Sequence, residues 1–199
     1  MILHRITRLL PATVGLVFCL LGSAVLAQTT PKVRFATSEG DFTVELYADK
    51  APRTVENFLQ YVRDKHYDGT LFHRVIDGFM IQGGGFDARY QQKPTRSPIQ
   101  HEGREALARG GPLNTVGTLA MARTNDPHSA TAQFFINVKD NGFLDPNARN
   151  FGYVAFGKVT AGMDVVNKIK SRPTGAGGPF PSDVPRTPVL ILSATELPQ

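Results

Sequence analysis

Short alternating apolar runs punctuated by glycine and proline, with helical spacing in only two places, constrain this chain more than any other feature. "KVRFATSEGDFTVELY" alternates apolar and polar residues on both sides of Ser38-Glu39-Gly40-Asp41, which predicts two strands joined by a turn. Similar runs predict strands at Leu71–Ile76, Met80–Gly83, Gly117–Met121, Phe134–Asn137, Tyr153–Val159 and Val189–Leu197. "APRTVENFLQYVRDKHY" instead places Val55, Phe58, Leu59 and Val62 at helical spacing behind Pro52, and "AGMDVVNKIK" does the same with Met163, Val166 and Ile169. Many short strands with two helices argue for a mainly β fold, a closed or nearly closed antiparallel barrel with a helix over each open end. "RYQQKPTRSPIQHEGREALARGGP" and "SRPTGAGGPFPSDVPRTP" lack periodicity and read as long loops.

Ahead of the first strand, Arg5 and Arg8 precede the apolar run "LLPATVGLVFCLLGSAVLAQ", which ends in small residues around Val25 and Ala27, the build of a cleaved secretory signal. Residues 1–27 are therefore assigned to a signal peptide and 28–199 to one domain. A chain of 199 residues less 27 leaves 172, enough for one sizeable core and too few for two. A membrane anchor fits less well, because Pro11 and Gly15 interrupt the run and no stop-transfer charges follow. A lipid-attachment site at Cys19 wants a small residue before it and finds Phe18. Losing this segment removes the only cysteine, so disulfide and thiol chemistry are not expected of the mature domain. The formal charge falls from +5 to +3 with Arg5 and Arg8 gone, and the remaining cations are scattered, which argues against nucleic acid or an anionic membrane surface as partner.

One strand breaks the apolar rule. In "FHRVIDGFMIQGGG", Arg74 stands among residues that ask to be buried. A two-residue loop at Asp77-Gly78 would set Arg74 opposite Ile81, whereas a three-residue loop, Asp77 to Phe79, sets it opposite Gln82 with Met80 on the same face. The second arrangement is preferred, since it groups a cation, an amide and a thioether on one surface with Phe79 at its mouth. An edge-strand arginine lying over apolar neighbours is the plainer alternative.

A second motif, "GTLAMARTNDPHSATAQFFINVKDNGFLD", weighs against that alternative. With "ENFLQYV", "GTLFHRVIDGFMIQGGG", "SATAQFFIN", "FLD" and "AFGKVTAGMDVV" in order, the chain resembles the cyclophilin family of peptidyl-prolyl cis-trans isomerases over essentially all of its mature length. "QFFINVKDNGFLD" and "NFGYVAFGKV" are similar to its bacterial periplasmic branch, which implies a periplasmic location and agrees with the signal peptide. The resemblance implies a closed eight-stranded antiparallel barrel capped by two α-helices, with a substrate groove on its outer surface. It implies catalysis by Arg74, a proline pocket walled by Phe79, Met80, Phe135 and Leu144, support of the arginine by Gln82, and a groove-lining role for Gln133. The backbone at Ala122 and Arg123 matches the segment that holds the residue before proline. Phe143 stands where many relatives carry tryptophan and Tyr153 where many carry histidine. The missing indole N–H implies weak cyclosporin binding, and Tyr153 implies retained activity with altered preference.

The implied partners are proline-containing segments of unfolded or folding exported proteins. No cofactor or metal is expected, because rotation about a peptide bond makes and breaks no covalent bond. A monomer suffices. A non-catalytic module binding proline-containing segments is the rival of a different class, and Arg74 beside a complete pocket favours the enzyme. Asp126, His128 and Ser129 in "NDPHSA" are too close in sequence to converge as a hydrolytic triad, and no G-x-S-x-G elbow exists. His66, His73, His101 and His128 lack metal-ligand spacing. A ligand-carrying barrel would need an open interior, which the large phenylalanines and leucines look sufficient to fill.

Overall fold

The computed structural model describes residues 30–198, so the expected signal peptide lies outside them. Strict alternation builds the first hairpin. Strands β1 (Lys32–Thr37) and β2 (Gly40–Leu46) turn Val33, Phe35, Phe42, Val44 and Leu46 into the core and leave Lys32 and Arg34 outside. Phe35 and Phe42 oppose each other in register and stack with 4.9 Å between ring centroids.

The remaining strands are β3 (Thr70–Ile76), β4 (Met80–Asp87), β5 (Thr118–Met121), β6 (Phe134–Asn137), β7 (Ala155–Ala161), β8 (Thr174–Gly177), β9 (Phe180–Pro185) and β10 (Leu190–Glu196). Eight of them close into a barrel in the order β1-β10-β3-β4-β6-β5-β7-β2. Every neighbouring pair is antiparallel, as expected. The interior is filled. Phe35, Phe42, Phe58, Phe72, Phe134 and Phe156 are all buried, and Phe58 reaches within 5.8 Å of Phe134 and 5.2 Å of Phe156, centroid to centroid.

Phe58 comes from helix α1 (Pro52–Arg63), where Val55, Phe58, Leu59, Tyr61 and Val62 share the buried face. Ala51 at its N-cap has no side-chain hydrogen bond to offer. Glu102 supplies the cap from afar: its Oε1 accepts from the Thr54 backbone N–H at 2.7 Å and from the Thr54 hydroxyl at 2.8 Å.

That carboxylate belongs to a stretch expected to be loop throughout. A short helix, α2 (Gly103–Ala108), forms directly after it, too brief to leave a periodic signature in the sequence. Residues 171–188 hold a second difference, because β8 and β9 pair there as a two-stranded sheet outside the barrel. Glycine and proline mask that hairpin by erasing the apolar alternation, and proline is tolerated on edge strands.

Helix α3 (Met163–Lys170) buries Val166 and Ile169. Gly162 launches it at φ +79°, and a Cβ there would collide with the Asp41 carbonyl and with Phe42, so only glycine fits both the conformation and the space. Val165 rests against Gly40 at the start of β2, whereas α1 begins just beyond Leu46 at its end. The two long helices therefore close opposite ends of the barrel.

Candidate active site

The β3–β4 hairpin places the arginine. Ile76 pairs with Met80 and Arg74 with Gln82, the register of a three-residue connection through Asp77, Gly78 and Phe79. Gly78 takes φ +72° in that turn. Register shifts on the N-terminal side of Arg74 twist the strand there.

A cleft of about 150 Å³ opens on the outer wall of the barrel, lined by Arg74, Phe79, Met80, Gln82, Ala122, Arg123, Phe135, Leu144 and Tyr153. The β3–β4 hairpin supplies Arg74, Phe79, Met80 and Gln82, and more distant stretches supply the rest. Met80, Phe135 and Leu144 are buried and, with Ala120 and Ala155, form a small apolar cluster distinct from the barrel core. Met80 and Gln82 come from β4 and Phe135 from the neighbouring β6, with Gln82 opposite Phe135. Tyr153 closes one side, its ring 5.5 Å from that of Phe135 and nearly perpendicular to it.

Arg74 is half-buried at the lip. Its guanidinium carbon lies 5.9 Å from the centre of the Phe79 ring. Among the described residues it has no hydrogen bond or ion pair, so its donors remain available to a ligand. Gln82, expected to support it, instead donates its amide to Gln133 Oε1 at 2.9 Å. Gln133 packs where Gly85 leaves room, since a Cβ on Gly85 would come within 2.5 Å of the glutamine side chain.

Arg123 is held differently. Its Nε donates to the Gly152 carbonyl at 2.9 Å and its Nη1 to the Thr124 carbonyl at 2.8 Å, while its guanidinium carbon sits 4.7 Å from the Tyr153 ring centre. It braces the wall. Phe143 does not line the cleft itself: it is 68% exposed on a single 3-10 turn, Gly142–Leu144, and stacks on Phe79 with centroids 5.8 Å apart, extending the rim. Gln133 likewise faces an adjoining polar recess of about 350 Å³, shared with Gln82, Gln92, Thr95, Ala122, Arg123, Thr124, Ser129 and Thr131. Gln92, Thr95, Thr124 and Thr131 were not expected here; the polar stretch from Thr124 to Gln133 signals the last two, and nothing local signals Gln92 or Thr95.

His73, beside Arg74, is buried between Phe86 and Phe180, with ring centroids at 4.8 and 5.4 Å. Burial lowers its pKa to about 4; a backbone contact at Leu71 opposes the shift and the charge on Arg74 adds to it. It is a neutral packing element. The other tempting constellation also fails to assemble: Ser129 Oγ donates to the Asp126 carbonyl, and His128 Nδ1 accepts from the backbone of His101.

The family model described as "Cyclophilin type peptidyl-prolyl cis-trans isomerase/CLD" matches residues 32–196. A peptidyl-prolyl cis-trans isomerase of Streptomyces antibioticus is 56% identical over 165 residues, covering 81% of this chain and 96% of its own. Peptidyl-prolyl cis-trans isomerase B of Escherichia coli is 53% identical over 166 residues, covering 82% and 98%. In fold, the chain matches the crystal structure of a cyclophilin-type isomerase of Cryptosporidium parvum with a TM-score of 0.65 at 24% identity, over 86% of this chain and 99% of that one.

Proposed function

This chain belongs to the cyclophilin-type peptidyl-prolyl cis-trans isomerases, enzymes that act on proline-containing peptides, and on that premise we propose that Arg74 catalyses rotation about the X-Pro bond held in the cleft. The observation that carries the assignment is an arginine with unengaged donors at the lip of an apolar recess.

Delocalisation of the nitrogen lone pair gives a peptide bond a rotational barrier of roughly 18–20 kcal/mol. The two X-Pro isomers nevertheless differ by only about 1 kcal/mol, so the obstacle is kinetic. As the bond twists, the nitrogen becomes pyramidal and recovers its lone pair. A donor aimed at that nitrogen binds the transition state better than the planar ground state, which is what lowers a barrier. Arginine suits this task because it carries its charge at any ordinary pH and its planar fork can hold a neighbouring carbonyl at the same time.

The apolar walls do the complementary work. Met80, Phe135 and Leu144 form a socket matched to a proline ring, holding it while the residue before it turns. Their low polarity also strengthens the hydrogen bond from Arg74. A charge-assisted bond of about 2–3 kcal/mol supplies a few decades of rate at most, so ring anchoring and desolvation supply the rest. Ala122 and Arg123 lie on the side of the larger polar recess, which takes the residues before proline.

Phe143 cannot offer an indole N–H, so cyclosporin binds weakly. The substrates we assign are unfolded or folding exported proteins, and the location the periplasm, on the strength of Arg5, Arg8 and the apolar run after them. One chain supplies every wall of the cleft, so a monomer is competent. Exchange NMR on a short X-Pro peptide, with the mature protein and with Arg74→Ala, tests the assignment, and undiminished exchange in the variant would overturn it.

A further inference from the structure

Three buried asparagines, at most 2% exposed, run beneath the cleft in a head-to-tail chain of amides. Asn141 Nδ2 donates to the Phe79 carbonyl at 2.9 Å and to Asn137 Oδ1 at 2.7 Å. Asn137 Nδ2 donates to Asn114 Oδ1 at 3.2 Å and to the Thr118 hydroxyl at 2.9 Å. Asn114 Nδ2 donates in turn to Asp145 Oδ1 at 2.9 Å and to the Tyr153 carbonyl at 3.2 Å, with the Leu144 carbonyl sharing a proton at 3.4 Å. Asparagine is unusual inside a strand, and Asn137 sits in β6 opposite Met80.

The chain begins on one wall of the cleft and ends on the other. Phe79, Leu144 and Tyr153 all line it, and the amides hold the backbone carbonyl of each. The Tyr153 N–H completes the far wall by donating to the Leu144 carbonyl at 2.8 Å. Arg74 has no hydrogen bond to this network; its backbone is fixed by the β3–β4 ladder, and it meets the network only through the Phe79 ring.

We propose that Asn114, Asn137 and Asn141 are positioning residues that set the width of the proline socket, acting as one unit. A side-chain amide accepts through its oxygen and offers two N–H donors, so each asparagine can accept from one neighbour and donate to the next. The inference rests on the cleft being the proline site. A loosened socket weakens ring contacts that are already made in the ground state, while the Arg74 donor keeps its place, so KM rises by much more than kcat falls.

The test uses Asn137→Leu, Asn141→Ala and the double variant, with folding checked by circular dichroism and amide NMR spectra. On an X-Pro tetrapeptide each folded single variant is expected to raise KM about tenfold, with kcat within about threefold of the parent. Because one relay is broken twice, the double variant should be worse than either single by no more than about threefold. A folded variant with unchanged KM, a loss in kcat alone, or fully multiplicative effects would overturn the proposal. Should Asn137→Leu not fold, Asn141→Ala carries the KM and kcat comparison by itself. Failure of Arg74→Ala to slow the parent reaction would instead indict the site assignment, which separates the two.

Discussion

Arg74 faces Gln82 directly across the β3–β4 ladder, yet the glutamine amide is committed to Gln133. The arginine is thus held by its strand and by the Phe79 ring, with its guanidinium donors unengaged among the described residues. Arg74→Ala is expected to lower turnover on a proline tetrapeptide about a hundredfold or more while weakening peptide binding less than about tenfold. Exchange NMR and titration of the same peptide measure the two effects separately. Equal losses in both would make Arg74 a binding residue only.

Acid should weaken the fold without any direct role in the chemistry. His73 has a pKa of about 4 when folded and returns to about 6.5 when unfolded. Above pH 6.5 both states are neutral; between 6.5 and 4 the unfolded chain takes up a proton that the folded chain refuses, so stability falls with pH, by about 3 kcal/mol in full. His66 and His101, also lowered by burial, add in the same direction. The urea midpoint is expected to drop between about pH 7 and 4.5 and to drop less in His73→Gln. Identical drops would clear His73. Turnover, by contrast, should stay flat between about pH 6 and 9, since no imidazole lines the cleft.

Phe143 offers a gain-of-affinity test. It is exposed, it stacks on Phe79 at the rim, and it lacks a donor. Phe143→Trp should tighten cyclosporin binding by about tenfold or more, in keeping with one recovered hydrogen bond, and change the unfolding free energy by less than about 0.5 kcal/mol. Calorimetric titration with no gain would place the recognition elsewhere on the surface.

Glu102 should matter to stability far more than its position in an irregular segment suggests. Its carboxylate caps α1 through both the N–H and the hydroxyl of Thr54. Glu102→Ala is expected to cost about 1–3 kcal/mol, read as a lowered thermal midpoint, with kcat/KM unaffected at temperatures where the chain is folded.

The barrel was legible because burial on one face writes itself into a strand as alternation, and β1 and β2 carry little else. The loop length at Asp77 to Phe79 then followed from which side chains deserved to meet. What escaped notice has no such imprint. Helix α2 is too short to show a period, and the β8–β9 hairpin is written in glycine and proline. The asparagine relay links Asn137 to Asn114, 23 positions away, and reaches the Phe79 carbonyl 62 positions from Asn141, and no local pattern announces either contact. Gln82 shows the converse limit: its place opposite Arg74 was readable, whereas its choice of Gln133 depended on the space left by Gly85.

Every strand of the eight-membered ring is hydrogen-bonded on both sides. Proteins that meet incompletely folded chains risk being drawn into their aggregates wherever a bare strand edge can be extended by a visitor. This ring offers none, and the outlying β9 carries Pro181 and Pro185, which cannot donate to an added strand. Closure of the ring therefore confines open strand edges, among the described residues, to the short β8–β9 hairpin.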